Sequence, residues 1–588
     1  MNLLNPIHTE RRECQDCYKC VRCCPVKAIK FENNYASVIP ELCVLCGACV
    51  EACPNGAKRV RDDLPRARQL LELRERVYVS LAPSFFSEFP GIEPARLVAA
   101  LERLGFAGVS ETALGAQQVS AHVARLLEQG SPRVYLSSAC PTAVAFIQKY
   151  LPAQSKLLTD LLSPALAHAR LLRQRFGEQI GVVFVGPCIS KKSEADSHPE
   201  LIDVVLTFED LRRWLQQERI DPKWLNPEPE RHRFVPEAAE EGALYPIDGG
   251  MNAGIRAHCS VSDSQFMCFS GLRSIERGLQ GIEQLKPESP LFVELLACEG
   301  GCVSGPRTSR DQGTATKRYR ILRQASYPEA LIPRQPVRGL DVSWAQQNTP
   351  VVPARHTEAE VREVLRGVGK FSMEDEHNCG GCGYDTCREF AKAFLDGKAE
   401  RTMCVTYMRK LATKKANALM RKMPSAVVIV DEKLRVIEHN ESFVRMFARP
   451  GDAQEQPPEL DGASIQCLVP FPNLFHAVLK SGEDLLDRDL KYRDTILHGS
   501  LFSIEKHRVV GGLFQDITRP AVQKQQIISK AREVIQKNLA TVQQIAYLLG
   551  ENAAESESIL DSIIESFSAG GLGEQSPDPH DWKRLYRG

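Results

Sequence analysis

The chain has 588 residues, of which 43% are hydrophobic and 25% charged, with 74 basic and 74 acidic side chains. That length has room for roughly three to five domains with ordinary cores, and the balanced charge argues against nucleic acid as a partner and against electrostatic docking on a membrane. No apolar run approaches the roughly 20 residues that span a bilayer, and the opening MNLLNPIHTERRE has no export-signal core, so a cytoplasmic location is expected. Twenty cysteines without an export signal point to metal rather than to disulfides. Nine of them fall within Cys14–Cys53, four within Cys379–Cys404, and the other seven sit singly, with Cys140, Cys188 and Cys302 next to Gly or Pro.

Cys14, Cys17, Cys20 and Cys24 form C-x2-C-x2-C-x3-C followed by Pro25, and Cys43, Cys46, Cys49 and Cys53 repeat the run before Pro54. The tandem resembles bacterial two-cluster ferredoxins, in which three thiolates of one run hold one cubane and the fourth reaches the other. The resemblance implies one 4Fe–4S cluster on Cys14, Cys17, Cys20 and Cys53, and a second on Cys43, Cys46, Cys49 and Cys24, within a domain spanning 1–65. Four-cysteine zinc is the competing reading. Cys23 is an extra thiol with no assigned role.

From about Arg74 to Trp344, short β-rich runs (VYVSLAP, RVYLSSAC, IGVVFVGPC, LFVELLAC) alternate with helical stretches such as EPARLVAALERLGF. The alternation predicts α/β units with a largely parallel sheet over 74–345. Three strands end at or near a cysteine, namely Cys140, Cys188 and Cys298. Ligand sites in such folds lie at the carboxyl ends of strands. Cys298 and Cys302, four apart, belong on one helix face or in one tight loop.

SSACP (Ser137–Pro141), GPCISKKSE (Gly186–Glu194) and ELLACEGGC (Glu294–Cys302) resemble the three signature loops of iron-only hydrogenases. The flanks VSLAPSF, RLVAALERLGFAGV and YPIDGGMNAGIR fall in the family's order. The resemblance implies a central 4Fe–4S cluster on Cys140, Cys188, Cys298 and Cys302, with Cys302 bridging to a di-iron unit that carries carbonyl, cyanide and dithiolate ligands. It further implies that Lys191 hydrogen-bonds a cyanide and that Glu194 pairs with the surrounding polar shell.

The departures from that family concern protons. Catalytic members place a proton-passing cysteine just before the ligand of the first loop, where this chain has Ala139. They also carry glutamates on the helix near His122, where this chain reads GAQQVSAHVARLL without an acid. Methionines that flank the di-iron unit appear as Gly186 and Leu296, and the glycine-rich ending of the third loop is replaced by VSGPRTS. Proton transfer needs titratable groups at hydrogen-bond separation, so the family's usual path is interrupted. Cys259, Cys268 and His122 read as ordinary core or surface residues.

A Pro-rich stretch (SYPEALIPRQPVRGL, then PVVPARH) reads as linker. EHNCGGCGYDTC then supplies Cys379, Cys382 and Cys387, with Cys404 after a helix expected over EFAKAFLDGKAERTM. The pattern resembles a small single-cluster 4Fe–4S domain, here 360–420, with zinc again competing. SAVVIVDEKLRVIEHNESFVRMF (Ser425–Phe447) reads as a hairpin followed by a helix beginning at Asn440 and resembles the opening of a PAS domain. Ser500–Thr518 supplies its closing strands within 421–520, and no residue there marks a haem or flavin. In the remainder, 521–588, an apolar stripe from Ile535 to Phe567 alternates steps of four and three, as in a coiled-coil seam, ahead of a polar tail.

The fold class expected is therefore a multidomain α/β protein: a ferredoxin-like two-cluster module, an iron-only hydrogenase-like core, a small 4Fe–4S domain, an α+β PAS domain and a C-terminal helix. Three functions compete. One is a hydrogen or redox sensor signalling through the PAS and helical region to a partner protein or a second copy. The others are a ferredoxin-linked hydrogenase and a multi-cluster electron-transfer scaffold without hydrogen chemistry. The architecture resembles sensory hydrogenases of anaerobic bacteria, and the missing proton relay favours the sensor.

Overall fold

The computed structural model of the chain describes residues 5–259, 265–325, 334–447, 460–493, 495–517 and 534–537. Nearly all of the Ile535–Phe567 stripe and the whole polar tail lie outside the described residues. The chain divides into two compact units, Met1–Met403 and Cys404–Gly588. No helix among the described residues is long and apolar enough to cross a membrane.

The two cysteine runs at the N-terminus fold alike. Each contains a short helix, Lys19–Cys23 and Ala48–Ala52, and each is followed by a strand of a small antiparallel ribbon. Equivalent positions of the two runs share a left-handed backbone: Asp16 (φ 52°) with Leu45 (φ 55°), Tyr18 (φ 53°) with Gly47 (φ 81°), and Lys27 (φ 48°) with Gly56 (φ 66°). Left-handed residues tighten each loop so that closely spaced side chains turn to one side, at a cost that glycine avoids.

The 74–345 region holds two parallel sheets rather than one. The first orders Gly108–Glu111, Val77–Leu81, Gly181–Gly186 and Val204–Thr207; the second orders Phe266–Ser270, Leu291–Leu296 and Val134–Leu136. Alternation in sequence identifies parallel strands, but strands buried on both faces are uniformly apolar and do not reveal their partners. In the first sheet a wholly buried imidazole ties two strands, His168 Nδ1 lying 2.7 Å from Ser80 Oγ and Nε2 2.8 Å from Ser110 Oγ. Burial lowers the His168 pKa to about 3, so it stays a neutral cross-link.

The helix expected over Glu389–Met403 is shorter than its sequence suggests. It runs Cys387–Leu395, after a Thr386/Glu389 capping box, and stops before Gly397 (φ 68°), with a 3-10 turn at Arg401–Met403. Cys404 is the N-cap of the next helix, Val405–Lys422, and heads the second unit.

In that second unit five antiparallel strands form one sheet in the order Val436–His439, Ala426–Val430, Val509–Asp516, Thr495–Glu505, Leu485–Tyr492. The expected hairpin and closing strands are both present, and the helix after Asn440 runs Glu441–Phe447. Phe443, Phe447, Phe475 and Phe514 fill the core beneath the sheet. Asn440 is the joint: its Oδ1 accepts from the Val427 and Phe443 amides, and its Nδ2 donates to Met420 and Ser425 carbonyls. One buried amide thus pins the end of the Val405–Lys422 helix to the first strand and to the helix that follows.

Candidate functional site

The N-terminal thiols gather into two interleaved sets. Cys20 lies in the field of Cys14, Cys17 and Cys53, while Cys49 lies in that of Cys46, Cys43 and Cys24. Burial first, and then those neighbouring thiols, push Cys20 up to about 11 and Cys49 well above the ordinary thiol range. Cys20 and Cys49 are buried, whereas Cys17 is exposed; bringing thiolates together around such buried members is unfavourable without a counter-charge, which a bound cationic iron cluster supplies. Cys23 adjoins both sets, lying in the field of Cys24 and Cys20 and acting on Cys46, but its Sγ donates to the Cys20 and Ala48 carbonyls.

Four thiols also meet in the central region, supplied by both parallel sheets. Cys140 caps the Pro141–Tyr150 helix and Cys298 follows Leu291–Leu296, both beyond ends of the second sheet. Cys188 follows Gly181–Gly186 of the first sheet, and Cys302 opens a 3-10 turn. Cys298 lies in the field of Cys302, Cys188 and Cys140, and burial raises all of Cys188, Cys298 and Cys302, with Cys188 at about 11. Cys298 and Cys302 share a tight loop, not a helix face. Gly301 (φ 95°) brings its backbone so close to Pro246 that a Cβ there would lie 2.4 Å from the carbonyl oxygen.

Lys191 and its neighbour Lys192 occupy the Ser190–Ser197 helix but face different tasks. Lys191 Nζ donates to Ser163 Oγ at 2.8 Å and to Glu194 Oε2 at 2.6 Å, and its charge reaches Cys188 and Cys302. Lys192 is wholly buried and pairs with Asp63 at 2.9 Å, bolting the helix to the segment after the N-terminal module. Glu194 and His198 line a cleft of about 350 Å³ that also reaches Ser138, Ser163 and Cys43. At Gly186 the space where a longer side chain would go is filled, since a Cβ would lie 2.7 Å from the Phe184 ring and 2.9 Å from Ala82.

The second cysteine run docks directly on this central site. Lys149 Nζ donates to the Cys43 carbonyl at 2.7 Å and Tyr150 Oη to the Leu42 carbonyl at 2.6 Å. Cys46 contributes to the field at Cys298. The closest approach is at Gly47, where a Cβ would stand 2.4 Å from Pro306 and 3.0 Å from Ile189. Gly47→Ala combines that clash with a left-handed backbone. It is expected to cost about 1–3 kcal/mol and to lower the melting temperature of the cluster-loaded chain, while an Ala at the open Gly56 costs only the backbone strain; differential scanning calorimetry of both variants checks this.

The Cys379–Cys387 loop packs on the first run. Lys27 Nζ donates to the Gly383 carbonyl at 2.8 Å, Arg22 Nη1 to Gly381 at 3.0 Å, and the Phe31 amide to the Lys398 carbonyl at 2.9 Å. Tyr384 is buried within reach of both Cys382 and Cys24, so this loop adjoins the N-terminal module. The Asn378 side chain accepts from the Cys387 amide at 2.8 Å and closes the loop.

Spacing alone misses several groups around the central site. Glu294 is wholly buried, one oxygen accepting from the Asn252 amide at 3.0 Å and the other without a partner, and burial raises it to about 7. Glu241 accepts from Gln117 at 3.0 Å and lies 2.9 Å from His258, all buried. Glu294 sits inside a quoted loop, but nothing in its spacing marks it; Glu241 and His258 are brought together only by the fold. Among the described residues no three His, Cys, Asp or Glu side chains stand close enough to hold one single metal ion.

Comparison with known proteins places these features. Residues 75–306 match the family of the iron-only hydrogenase large subunit, C-terminal domain; residues 36–59 match a 4Fe–4S binding domain and residues 376–406 an Fe–S cluster domain. An NADP-reducing hydrogenase subunit of Solidesulfovibrio fructosivorans is 26% identical over 364 residues, 50% of this chain and 61% of that protein. Iron hydrogenase 1 of Clostridium pasteurianum is 26% identical over 313 residues, 43% of this chain and 53% of that protein. The chain thus spans between about half and two-thirds of the length of these curated relatives. A protein described as a cytosolic Fe–S cluster assembly factor of Drosophila grimshawi is 25% identical over 224 residues, 29% of this chain and 46% of that protein. Among solved structures, an FeFe hydrogenase studied for oxygen inactivation aligns over 50% of this chain and 100% of its own at 18% identity and TM-score 0.38, and a LOV protein of Rhodobacter sphaeroides over 27% of this chain and 92% of its own at 17% identity and TM-score 0.20.

Proposed function

Because residues 75–306 belong to the iron-only hydrogenase large-subunit family and the chain carries 4Fe–4S cluster domains on either side, we propose that it is a hydrogenase-like sensor of hydrogen or redox state. Cys140, Cys188, Cys298 and Cys302 hold the central cubane, and Cys302 anchors a di-iron carbonyl and cyanide unit. That unit, when bound, supplies the hydrogen chemistry. Lys191, held by Ser163 and Glu194, presents its ammonium to the anionic ligands of that unit, and the burial of both partners keeps it in place.

The two N-terminal clusters take the interleaved ligand sets, and Cys379, Cys382, Cys387 and Cys404 take a fourth cubane. Thiolate donors in this number suit iron–sulfur clusters. The close docking of the Cys43 run on the Cys298 loop favours electron passage between them, and a ferredoxin is the fitting external partner. Cys404 begins a helix that Asn440 clamps to the five-stranded sheet, whose strand order and helices suit a PAS domain. With its core filled by phenylalanines, that domain serves as a contact surface for a signalling partner or a second copy rather than as a cofactor pocket.

The observation that carries the reading is the meeting of four thiols and Lys191 from three loops, with Ala139 where catalytic relatives place a proton donor. Likeness to the cluster assembly factor favours one second reading, a cluster scaffold without hydrogen chemistry. Infrared spectroscopy of anaerobically matured protein separates them. Carbonyl and cyanide bands that shift under hydrogen are expected; a fully loaded chain without such bands belongs to the scaffold reading.

A further inference from the structure

Within the described residues 5–60 one charged side chain is buried, and it is a lysine. Lys58, 3% exposed, opens the strand Lys58–Val60 after the second cysteine run. That strand pairs with Ile7–Thr9 and packs against the Ala48–Ala52 helix, which carries Cys49. Successive side chains of a strand point to opposite faces. Arg59 accordingly turns outward to Glu13, its side chain 52% exposed, while Lys58 turns into the module. Lys58 Nζ donates to Thr9 Oγ1 and to the Ala36 carbonyl, each at 2.6 Å, and so ties the first strand to the Tyr35–Val38 strand of the other ribbon. Both acceptors are neutral. The interior around them consists of apolar groups such as Val21, Phe31 and Val44 together with the buried thiols of Cys20, Cys24 and Cys49.

A lysine is almost never fully buried without a partner of opposite charge, because an isolated ammonium is costly to remove from water. Among the described residues no carboxylate pairs with Lys58, and two of its three N–H donors go to the neutral oxygens of Thr9 and Ala36. The same interior does hold anions once the clusters are bound. The thiolates of a cubane outweigh the positive charge of its iron–sulfur core, so the ligated cluster is a net anion, and more so after reduction. The ammonium is placed to serve both, since its charge acts on Cys20 of one ligand set and on Cys43 and Cys49 of the other.

We propose that Lys58 is the shared counter-charge of the two N-terminal clusters and raises the reduction potential of both. This inference rests on the cluster reading of the two cysteine runs. Reduction brings one electron from an external reductant, such as a ferredoxin, and adds one negative charge to a cubane. The buried ammonium stabilises that reduced form more than the oxidised one, and itself neither gains nor loses a proton or an electron. Cluster potential follows net charge, hydrogen bonds to the sulfurs and solvent exposure, and Lys58 acts through the first of these. Charges interact more strongly in a low-dielectric interior than in water, so a single ammonium between the two ribbons influences both cubanes. Raised potentials let the N-terminal pair stay reduced under weaker reductants, which suits a chain that reports redox state.

The test needs no turnover. In the full chain reconstituted with iron and sulfide, a redox titration followed by electron paramagnetic resonance reads the N-terminal pair, which the spin coupling between neighbouring reduced cubanes identifies. In Lys58→Met the ratio of reduced to oxidised cluster at a fixed potential is expected to fall about tenfold, equivalent to about 59 mV for one electron, and Lys58→Arg restores it. Methionine fills the space without a charge, and the Thr9 hydroxyl, which donates to the Ala36 carbonyl at 2.7 Å, keeps that oxygen satisfied. Melting of the same variant separates a counter-charge from a purely structural lysine. Without iron, Lys58→Met is expected to melt at or above the wild-type temperature, because a buried ammonium lacking an anion is gone; with clusters bound it melts lower. Iron lost from Lys58→Met with that same order of melting also supports the counter-charge. Unmoved potentials in an iron-replete Lys58→Met, or a melting temperature lowered equally with and without iron, would overturn this inference alone. A wild-type chain that takes up zinc and forms no cubanes on the two runs would overturn the cluster reading and the inference with it.

Discussion

Replacing Cys302 with serine is expected to remove the hydrogen-responsive infrared bands altogether and to lower bound iron by the content of the central cluster, about four iron atoms for the cubane together with the di-iron unit. Cys302 is the one proposed ligand that would hold both parts. Its loop leaves no substitute, because the Gly301 backbone is pressed against Pro246 and Ile247 and the 3-10 turn that Cys302 opens donates from Val303 to the Pro246 carbonyl. A serine oxygen is a harder and less acidic ligand than a thiol, so isosteric placement does not rescue binding. The N-terminal clusters have their own ligands and remain. Iron analysis combined with electron paramagnetic resonance of the dithionite-reduced variant reads both halves of this result; full iron content in Cys302→Ser would move the central ligand to another residue.

Ala139→Cys is expected to have the largest effect in the opposite direction. The Ala139 amide already donates to Ser137 Oγ at 3.2 Å, and the residue is only partly buried at the edge of the core. A thiol at this position would stand next in sequence to the Cys140 ligand. A positioned proton donor contributes roughly 10²–10⁴ in rate. Because the Ala113–Gln129 helix still presents Gln117 and Gln118, hydrogen evolution from reduced carrier is expected to rise by the lower figure, about a hundredfold. An unchanged rate in a variant with wild-type infrared bands would show that protons entering by another route are not limiting, and would weaken the sensor reading in favour of the enzyme.

The two results bear on one question, whether the site is built for occupancy or for turnover. Removal of Cys302 asks whether the group is there at all. Addition of a thiol at position 139 asks what holds its chemistry back.

Short cysteine spacing marked twelve of the sixteen proposed ligands, eight in the C-x2-C-x2-C-x3-C-P run read twice and four in Cys379–Cys404, because a cluster needs thiolates close together and short separations are visible in a sequence. Cys140, Cys188, Cys298 and Cys302 are spread over more than 160 residues and were legible only through the resemblance of their loops to the hydrogenase signatures. Sequence also carried the parallel-strand alternation, the hairpin before Asn440 and the Ser500–Thr518 closing strands, all of which depend on local periodicity.

Tertiary structure alone decided what lies far apart in the chain. It split the strands of the central region into two sheets, ended the Cys387–Leu395 helix early, and set the Cys379 loop against Lys27 and Arg22. It gave Lys191 to the site and Lys192 to Asp63, a distinction that adjacent lysines do not show in sequence. It also returned an acid to the Ala113–Gln129 helix from a turn over a hundred residues away, as the Gln117–Glu241 bond shows. The physical reason is common to all of these. Thiol spacing and strand periodicity are properties of a few consecutive residues, whereas a buried charge is stable only where the rest of the chain brings it a partner.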